Sequence, residues 1–116
     1  MKLAIIIPVY NAEETIKRAI LSVDTSVPYE IICINDGSTD QTQHVLTELQ
    51  QKHPHIKVIH QSNQGAARSR NVGLEAMSED VDAFLFLDAD DEFLPSRIDL
   101  MAVSYTHLTL PTILLV

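Results

Sequence analysis

The sequence predicts an α/β protein built on a parallel β-sheet with flanking helices, and three features carry that expectation. Apolar, β-branched runs such as Leu3–Val9 are continuous rather than alternating, the pattern of strands covered on both faces. Segments of helical periodicity, roughly 10 to 15 residues each, separate these runs and make βαβ units. Polar clusters follow directly on the strands: Asn35-Asp36-Gly37-Ser38 after the second and Asp88-Ala89-Asp90-Asp91 after the last. In open α/β sheets ligands bind at that strand end.

The first strand, Leu3 to Val9, stops at Tyr10 and Asn11. Asn11 fits a helix N-cap with Glu14 as its capping-box partner. The helix that follows puts Ile16, Ala19, Ile20 and Val23 on one face, and Pro28 lies beyond its end. Glu30 to Ile34 is a second strand. Gly37 permits a tight turn, and Ser38 or Thr39 caps a helix that carries Val45, Leu46 and Leu49 inward. Pro54 closes this helix, Ile56 to His60 is a third strand, and Ser62-Asn63-Gln64-Gly65 turns the chain into a helix over Ala66–Met77. A glycine within that helix, Gly73, points to close packing or a site. The fourth strand runs from Val81 to Leu87. Right-handed crossovers favour the strand order 3-2-1-4, with a crevice where the connection reverses between strands one and four.

Composition narrows the function. The chain has 116 residues, enough for one domain or part of one, and a formal charge of −8. Acids outnumber Lys and Arg by 16 to 8 with no basic cluster, which argues against nucleic acid as a partner. An anionic ligand would need a metal or helix N-termini to bind. The single cysteine, Cys33, lies in an apolar strand and reads as an inert buried thiol in a reducing, cytoplasmic compartment. Pro8 interrupts the apolar N-terminus, so neither a secretory signal nor a membrane span is expected.

Three stretches converge on the predicted crevice: Pro8-Val9-Tyr10-Asn11, Asn35-Asp36-Gly37-Ser38 and Asp88-Ala89-Asp90-Asp91. With Glu92, the last forms four carboxylates in five positions. It is either a solvated turn capping the next helix or a site where a hard cation such as Mn2+ or Mg2+ neutralises mutually repelling acids. Asp88 and Asp90 stand two apart, so a strand continued through them points both to one face. One then reaches a ribose while the other binds the cation. Tyr10 offers a ring to stack a base, or closes the core. Asp36 accepts from a base or ribose, or serves the Asp-Gly turn. Arg68 and Arg70 neutralise phosphate or the acidic loop, or line a solvated helix face. No glycine-rich phosphate cradle is present, and the five histidines show no metal-ligand spacing.

These blocks in this order resemble the nucleotide-binding half of a family 2 glycosyltransferase. The matching pieces are Pro8-Val9-Tyr10-Asn11, Asn35-Asp36-Gly37-Ser38-Thr39-Asp40, Asn63-Gln64-Gly65 with Arg70-Asn71-x-Gly73, and Phe86-Leu87-Asp88-Ala89-Asp90-Asp91. The resemblance covers roughly residues 2–101 and implies a Rossmann-like GT-A parallel sheet. It further implies transfer of a sugar from a nucleotide-diphosphate donor, commonly a UDP-sugar, to an acceptor that is a glycan, lipid or protein, in polysaccharide or cell-wall biosynthesis. Pro8 and Tyr10 would line the base pocket, Asp36 would contact the base, Asp88 the ribose, and Asp90 together with Asp88 a bound Mn2+ or Mg2+, with Arg70 in the nucleotide site. A full-length protein would work at the cytoplasmic membrane face.

The resemblance is expected to break off after residue 101. Met101–Val116 has no Asp, Glu, Lys or Arg and ends in Ile113-Leu114-Leu115-Val116, where the family continues as an amphipathic, charged helix. This reading gives a truncated nucleotide-sugar-binding subdomain over 1–101 and an apolar, non-native tail over 102–116 that promotes self-association. The general base then lies beyond the chain end, and the chain binds nucleotide weakly and transfers nothing. A non-catalytic nucleotide-sugar-binding domain is the alternative. A haloacid-dehalogenase-like phosphotransferase is another, since Asp88-Ala89-Asp90 fits its Asp-x-Asp, but Glu92 stands where Thr or Val is expected. An EF-hand is poorer, with Phe93 at the glycine position.

Overall fold

The computed structural model of the chain describes residues 1–108. Four parallel strands, β1 (Leu3–Val9), β2 (Tyr29–Asp36), β3 (Ile56–Gln61) and β4 (Ala83–Phe86), form one sheet in the order β3-β2-β1-β4. This is the order expected from the crossover rule. Four helices connect or follow them: α1 (Ile16–Leu21), α2 (Thr42–Lys52), α3 (Ala66–Glu75) and α4 (Arg97–Leu108).

The unbroken apolar runs of β1 and β2 are explained by burial on both faces. Leu3, Ile5, Ile7, Ile31 and Cys33 pack with Ile16 and Ile20 of α1, Leu46 and Leu49 of α2, and Ile98 of α4. The alternate residues Ala4, Ile6, Ile32 and Ile34 pack against Val72 and Leu74 of α3 and the β4 rings Phe84 and Phe86. Cys33 is wholly buried, and burial pushes its thiol up to about 12, which leaves it protonated and inert. Gly73 sets how closely α3 lies on the sheet. A Cβ at this position would stand 2.4 Å from Ile6 Cγ2 and 3.0 Å from Ile34 Cδ1. Ser69, one helical turn earlier and wholly buried, is thereby brought down onto the strand ends.

Several boundaries differ from the sequence reading, each for a local reason. β2 does not stop at Ile34: Asn35 and Asp36 pair with His60 and Gln61 of β3 and are only 4% exposed each. Asn11 is not an N-cap; it adopts φ 48°. A turn closed by Thr15 N–H and Ile16 N–H on the Ala12 carbonyl comes first, and Thr15 is the N-cap of α1. Neither Ser38 nor Thr39 caps α2. The Asp40 carboxylate accepts the Thr42 N–H at 2.9 Å instead. β3 extends one residue further than expected, α3 ends at Glu75 rather than Met77, and β4 is shorter, continued by one bond from Leu87 N–H to the Ile6 carbonyl at 3.0 Å.

The sequence reading has no helix after residue 101, yet α4 runs through that position. Ile98 and Ala102, one turn apart, are 1% and 5% exposed and pack inward, while Leu100 and Val103 remain exposed. Residues 109–116 lie outside the described residues, and with them the end of the expected apolar tail and its self-association. Among the described residues no helix is long and apolar enough to cross a membrane.

At the N-terminal end of β2, Glu30 is 4% exposed. It accepts from Ser78 N–H at 3.0 Å and Ser78 Oγ–H at 2.6 Å, with Lys2 Nζ at 3.4 Å and Lys57 Nζ at 3.5 Å. Burial alone would raise its carboxyl, but the Ser78 bonds and the two lysines outweigh it and hold the group below its usual value. A depressed folded value stabilises the native state above the ordinary glutamate pKa and loses that contribution as pH falls through the folded value. Two outcomes follow. Between about pH 6 and about pH 3 the wild-type chain should lose more unfolding free energy than Glu30→Gln, measured by urea denaturation at each pH; parallel losses would contradict this. Gly73→Ala should cost about 1–3 kcal/mol by forcing α3 off the sheet, and an unmoved urea midpoint would contradict it.

Candidate functional site

The connections leaving the C-terminal strand ends enclose a cleft of about 400 Å³. Pro8 and Val9 of β1 and Asp36 of β2 form its floor, and Tyr10–Ala12 with Thr15 make one wall. Ala66, Ser69 and Arg70 of α3 make the other, and Asp88, Ala89 and Asp90 stand at the mouth after β4. Pro8, Tyr10, Asp36, Arg70, Asp88 and Asp90, the residues that the family resemblance places in the nucleotide and metal site, therefore line one cavity. It lies where the chain reverses direction across the sheet, between β1 and β4.

Asp36 is the anchor of this arrangement. Its Oδ1 accepts from Gln61 Nε2 at 2.9 Å and Gln64 N–H at 2.7 Å, and its Oδ2 accepts from Gly65 N–H at 3.0 Å. The Asp36 carbonyl takes the Asn63 side-chain amide at 3.1 Å. The carboxylate is thus committed to the β3–α3 loop rather than standing free. A carboxylate has roughly four acceptor sites, so about one remains for a ligand. Gly37 completes the junction: at φ 73° a Cβ would meet Asn63 N at 2.7 Å. Gln61 Nε2 also reaches Ser69 Oγ at 3.2 Å, and Ser69 Oγ–H donates to the Gly65 carbonyl at 2.9 Å.

The acidic loop is gathered by a turn, not by continued strand geometry. β4 ends at Phe86, and Asp91 N–H donates to the Asp88 carbonyl at 3.0 Å. Carboxylate oxygens of Asp88, Asp90 and Asp91 lie within 4.8 Å of one another, all three side chains exposed. Asp91 is the clustered carboxylate that strand periodicity misses, because three residues after Asp88 it would face away; a turn folds it back. The density of acids in the run was the available signal. Arg70 Nη2 stands 3.6 Å from Asp88 Oδ1 and its guanidinium lies over the Phe86 ring at 5.8 Å, so an ion pair and a cation–π contact hold it at the cleft. Arg68 is exposed and does not line the cavity. An all-oxygen set of clustered carboxylates beside a single guanidinium fits a hard divalent ion such as Mn2+ or Mg2+.

Asn11, Thr15 and Ser69 also line the cleft and were not assigned from sequence. Asn11 Oδ1 accepts Thr39 N–H at 2.8 Å, which ties the loop after β1 to the loop after β2. The one hint in the sequence was that asparagine tolerates positive φ. Asp40, in that second loop, is pushed up by burial but held below the usual carboxylate value by bonds from the Thr42 side chain and backbone and from Glu13 N–H.

An open parallel sheet in the order 3-2-1-4, with an acid-mouthed cleft at the reversal and no glycine-rich phosphate loop, defines a GT-A-type α/β unit. Residues 4–105 match glycosyl transferase family 2, and the chain belongs to that family. The uncharacterized glycosyltransferase YibD of Escherichia coli (strain K12) is 40% identical over 97 residues, 82% of this chain and 28% of that protein. S. aureus TarS in complex with UDP superposes with TM-score 0.80 at 28% identity, over 92% of this chain and 32% of that one. The mannosyltransferase PcManGT from Pyrobaculum calidifontis, in complex with GDP-Man and Mn2+, shares the fold with TM-score 0.67 at 23% identity, over 84% and 30%. The chain thus spans a third or less of the length of these proteins. Membership of this family displaces the haloacid-dehalogenase-like reading of Asp88-Ala89-Asp90.

Asp36→Ala would leave the Gln64 and Gly65 N–H groups without their acceptor. The variant should be destabilised by about 2 kcal/mol or more in urea denaturation. A loss under about 0.5 kcal/mol would show that the loop does not depend on this carboxylate.

Proposed function

We propose that the cleft binds the nucleotide diphosphate of a sugar donor, a UDP-sugar, and that the whole protein transfers the sugar to an acceptor in polysaccharide or cell-wall assembly. The observation that carries this reading is the convergence of Pro8, Tyr10, Asp36, Arg70, Asp88 and Asp90 on one cavity. The likeness to TarS, captured with UDP, supports the choice of uridine.

Each residue has a role that its setting permits. Tyr10 is 52% exposed and presents a ring on which a base stacks, an interaction worth about 1–3 kcal/mol. Pro8 supplies an apolar wall beside it. Asp36, immobilised by its three bonds, offers its remaining acceptor site in a set direction to a base N–H. Arg70 meets phosphate. Asp88 faces the ribose, and with Asp90 and Asp91 it holds Mn2+ or Mg2+. The ion, when bound, supplies Lewis-acid stabilisation of the diphosphate as it departs. The donor half of the reaction is what these residues account for; acceptor recognition and the general base are assigned to none of them.

Electrostatics favour a bound cation. Among the cleft-lining side chains three carboxylates, Asp36, Asp88 and Asp90, face one guanidinium, Arg70, a formal balance of −3 + 1 = −2. A diphosphate entering alone is repelled. UDP should therefore bind in calorimetry with Mn2+ present and lose at least about tenfold in affinity, about 1.4 kcal/mol, in EDTA. Asp90→Ala should remove the difference between the two conditions. Equal affinity in EDTA would contradict the metal role, and no binding in either condition would contradict the nucleotide reading.

A further inference from the structure

Three consecutive backbone N–H groups follow directly on Tyr10, and each donates to a side chain of one short segment. Asn11 N–H reaches Ser38 Oγ at 3.0 Å, Ala12 N–H reaches Thr42 Oγ1 at 2.9 Å, and Glu13 N–H reaches Asp40 Oδ2 at 3.4 Å. One bond returns: Thr39 N–H donates to Asn11 Oδ1 at 2.8 Å. The receiving side chains are themselves tied together, since Asp40 Oδ1 accepts both the Thr42 N–H and the Thr42 hydroxyl. Thr42 is wholly buried, so its hydroxyl answers to these partners and not to water.

The backbone between the two loops is held in an unusual path. Asn11 sits at φ 48°, in the left-handed region that a non-glycine residue enters only when its surroundings hold it there. That turn comes one residue after Tyr10, so the chain is pinned to the loop after β2 immediately beyond the residue that carries the ring. Because Tyr10 is half-exposed at 52%, its placement rests on the backbone that carries it. Capping of α2 alone would need none of the three bonds from the preceding loop.

We infer that Ser38, Asp40 and Thr42 are positioning residues that latch the loop after β1 and thereby set Tyr10 over the base of a bound nucleotide. The inference rests on the nucleotide reading of the cleft and adds to it a source of base affinity one layer behind the ligand. It gives the two halves of the ligand separate supports: the base depends on the latch, and the diphosphate depends on the acidic loop and Arg70.

The test compares UDP with inorganic pyrophosphate, each titrated with Mn2+ into the wild-type chain and into Thr42→Val, Thr42→Ser and Tyr10→Ala. Thr42→Val should weaken UDP roughly tenfold, as expected when a base loses its aromatic partner, and leave pyrophosphate within about twofold. Thr42→Ser, which keeps the hydroxyl, should restore UDP affinity. In the Tyr10→Ala background Thr42→Val should add less than about twofold, because the two changes remove one interaction. Unchanged UDP affinity in Thr42→Val, equal losses for both ligands, or additive losses with Tyr10→Ala would each overturn the inference. If Thr42→Val fails to fold, Asp40→Asn takes its place with the same expectations. Amide hydrogen exchange separates this failure from that of the underlying reading. Slow exchange at Asn11, Ala12 and Glu13 with no UDP binding overturns the nucleotide reading and the stacking role with it; fast exchange at these amides in the wild-type chain overturns the latch itself.

Discussion

A carboxylate buried at the end of a strand must be hydrogen-bonded or the strand end opens to water. Asp36 meets that requirement with bonds from Gln61, Gln64 and Gly65, and the rest of the site depends on it. The bonds bring the β3–α3 loop against the end of β2 and so decide where α3 begins. Ser69 and Arg70 then stand at the cleft because α3 begins there and because Gly73 lets it lie close on Ile6 and Ile34. The same residue thus serves the fold first, and serves a ligand only with what acceptor capacity remains.

The cleft is assembled from loops with different degrees of support. The first two, after β1 and β2, are joined by the bonds linking Asn11–Glu13 to Ser38–Thr42. The third is held by Asp36. The acidic loop has one internal turn bond, exposed ion pairs from Arg70 to Asp88 and from Arg18 to Glu92, and a bond from Phe93 N–H to Ser22 Oγ at its far end. Its three clustered carboxylates repel one another, so this is the part of the site whose order a cation would change most. In the proposed function, base recognition would be built on a preformed surface and diphosphate recognition on a loop that a metal would complete.

Much of the fold was legible because its physics is periodic. Continuous apolar runs announced the buried strands β1 and β2, alternating helices announced the parallel sheet, and the handedness of crossovers gave the order 3-2-1-4. The cleft followed, since strand ends in such a sheet have a known location. What sequence reading missed is local and polar. Asn11 looked like an N-cap because asparagine serves both caps and left-handed turns, and only the tertiary bond from Thr39 decides between them. Asp36 looked free because its donors come from Gln61, Gln64 and Gly65, about 25 to 29 residues away. Asp91 was lost to an assumption of strand periodicity beyond the point where β4 ends. α4 was missed because its inward pair, Ile98 and Ala102, is short and its outer face is also apolar.

The proposed function requires one cleft at the strand-order reversal to take a nucleotide diphosphate together with a divalent ion at the acidic loop. Paramagnetic broadening by Mn2+ in the amide spectrum tests it directly. With UDP and substoichiometric Mn2+, the resonances of Asp88, Asp90, Asp91 and Arg70 should broaden first, while Glu30 and Ser78 at the N-terminal end of the strands stay sharp. Broadening centred away from the acidic loop, or none at all, would contradict the account.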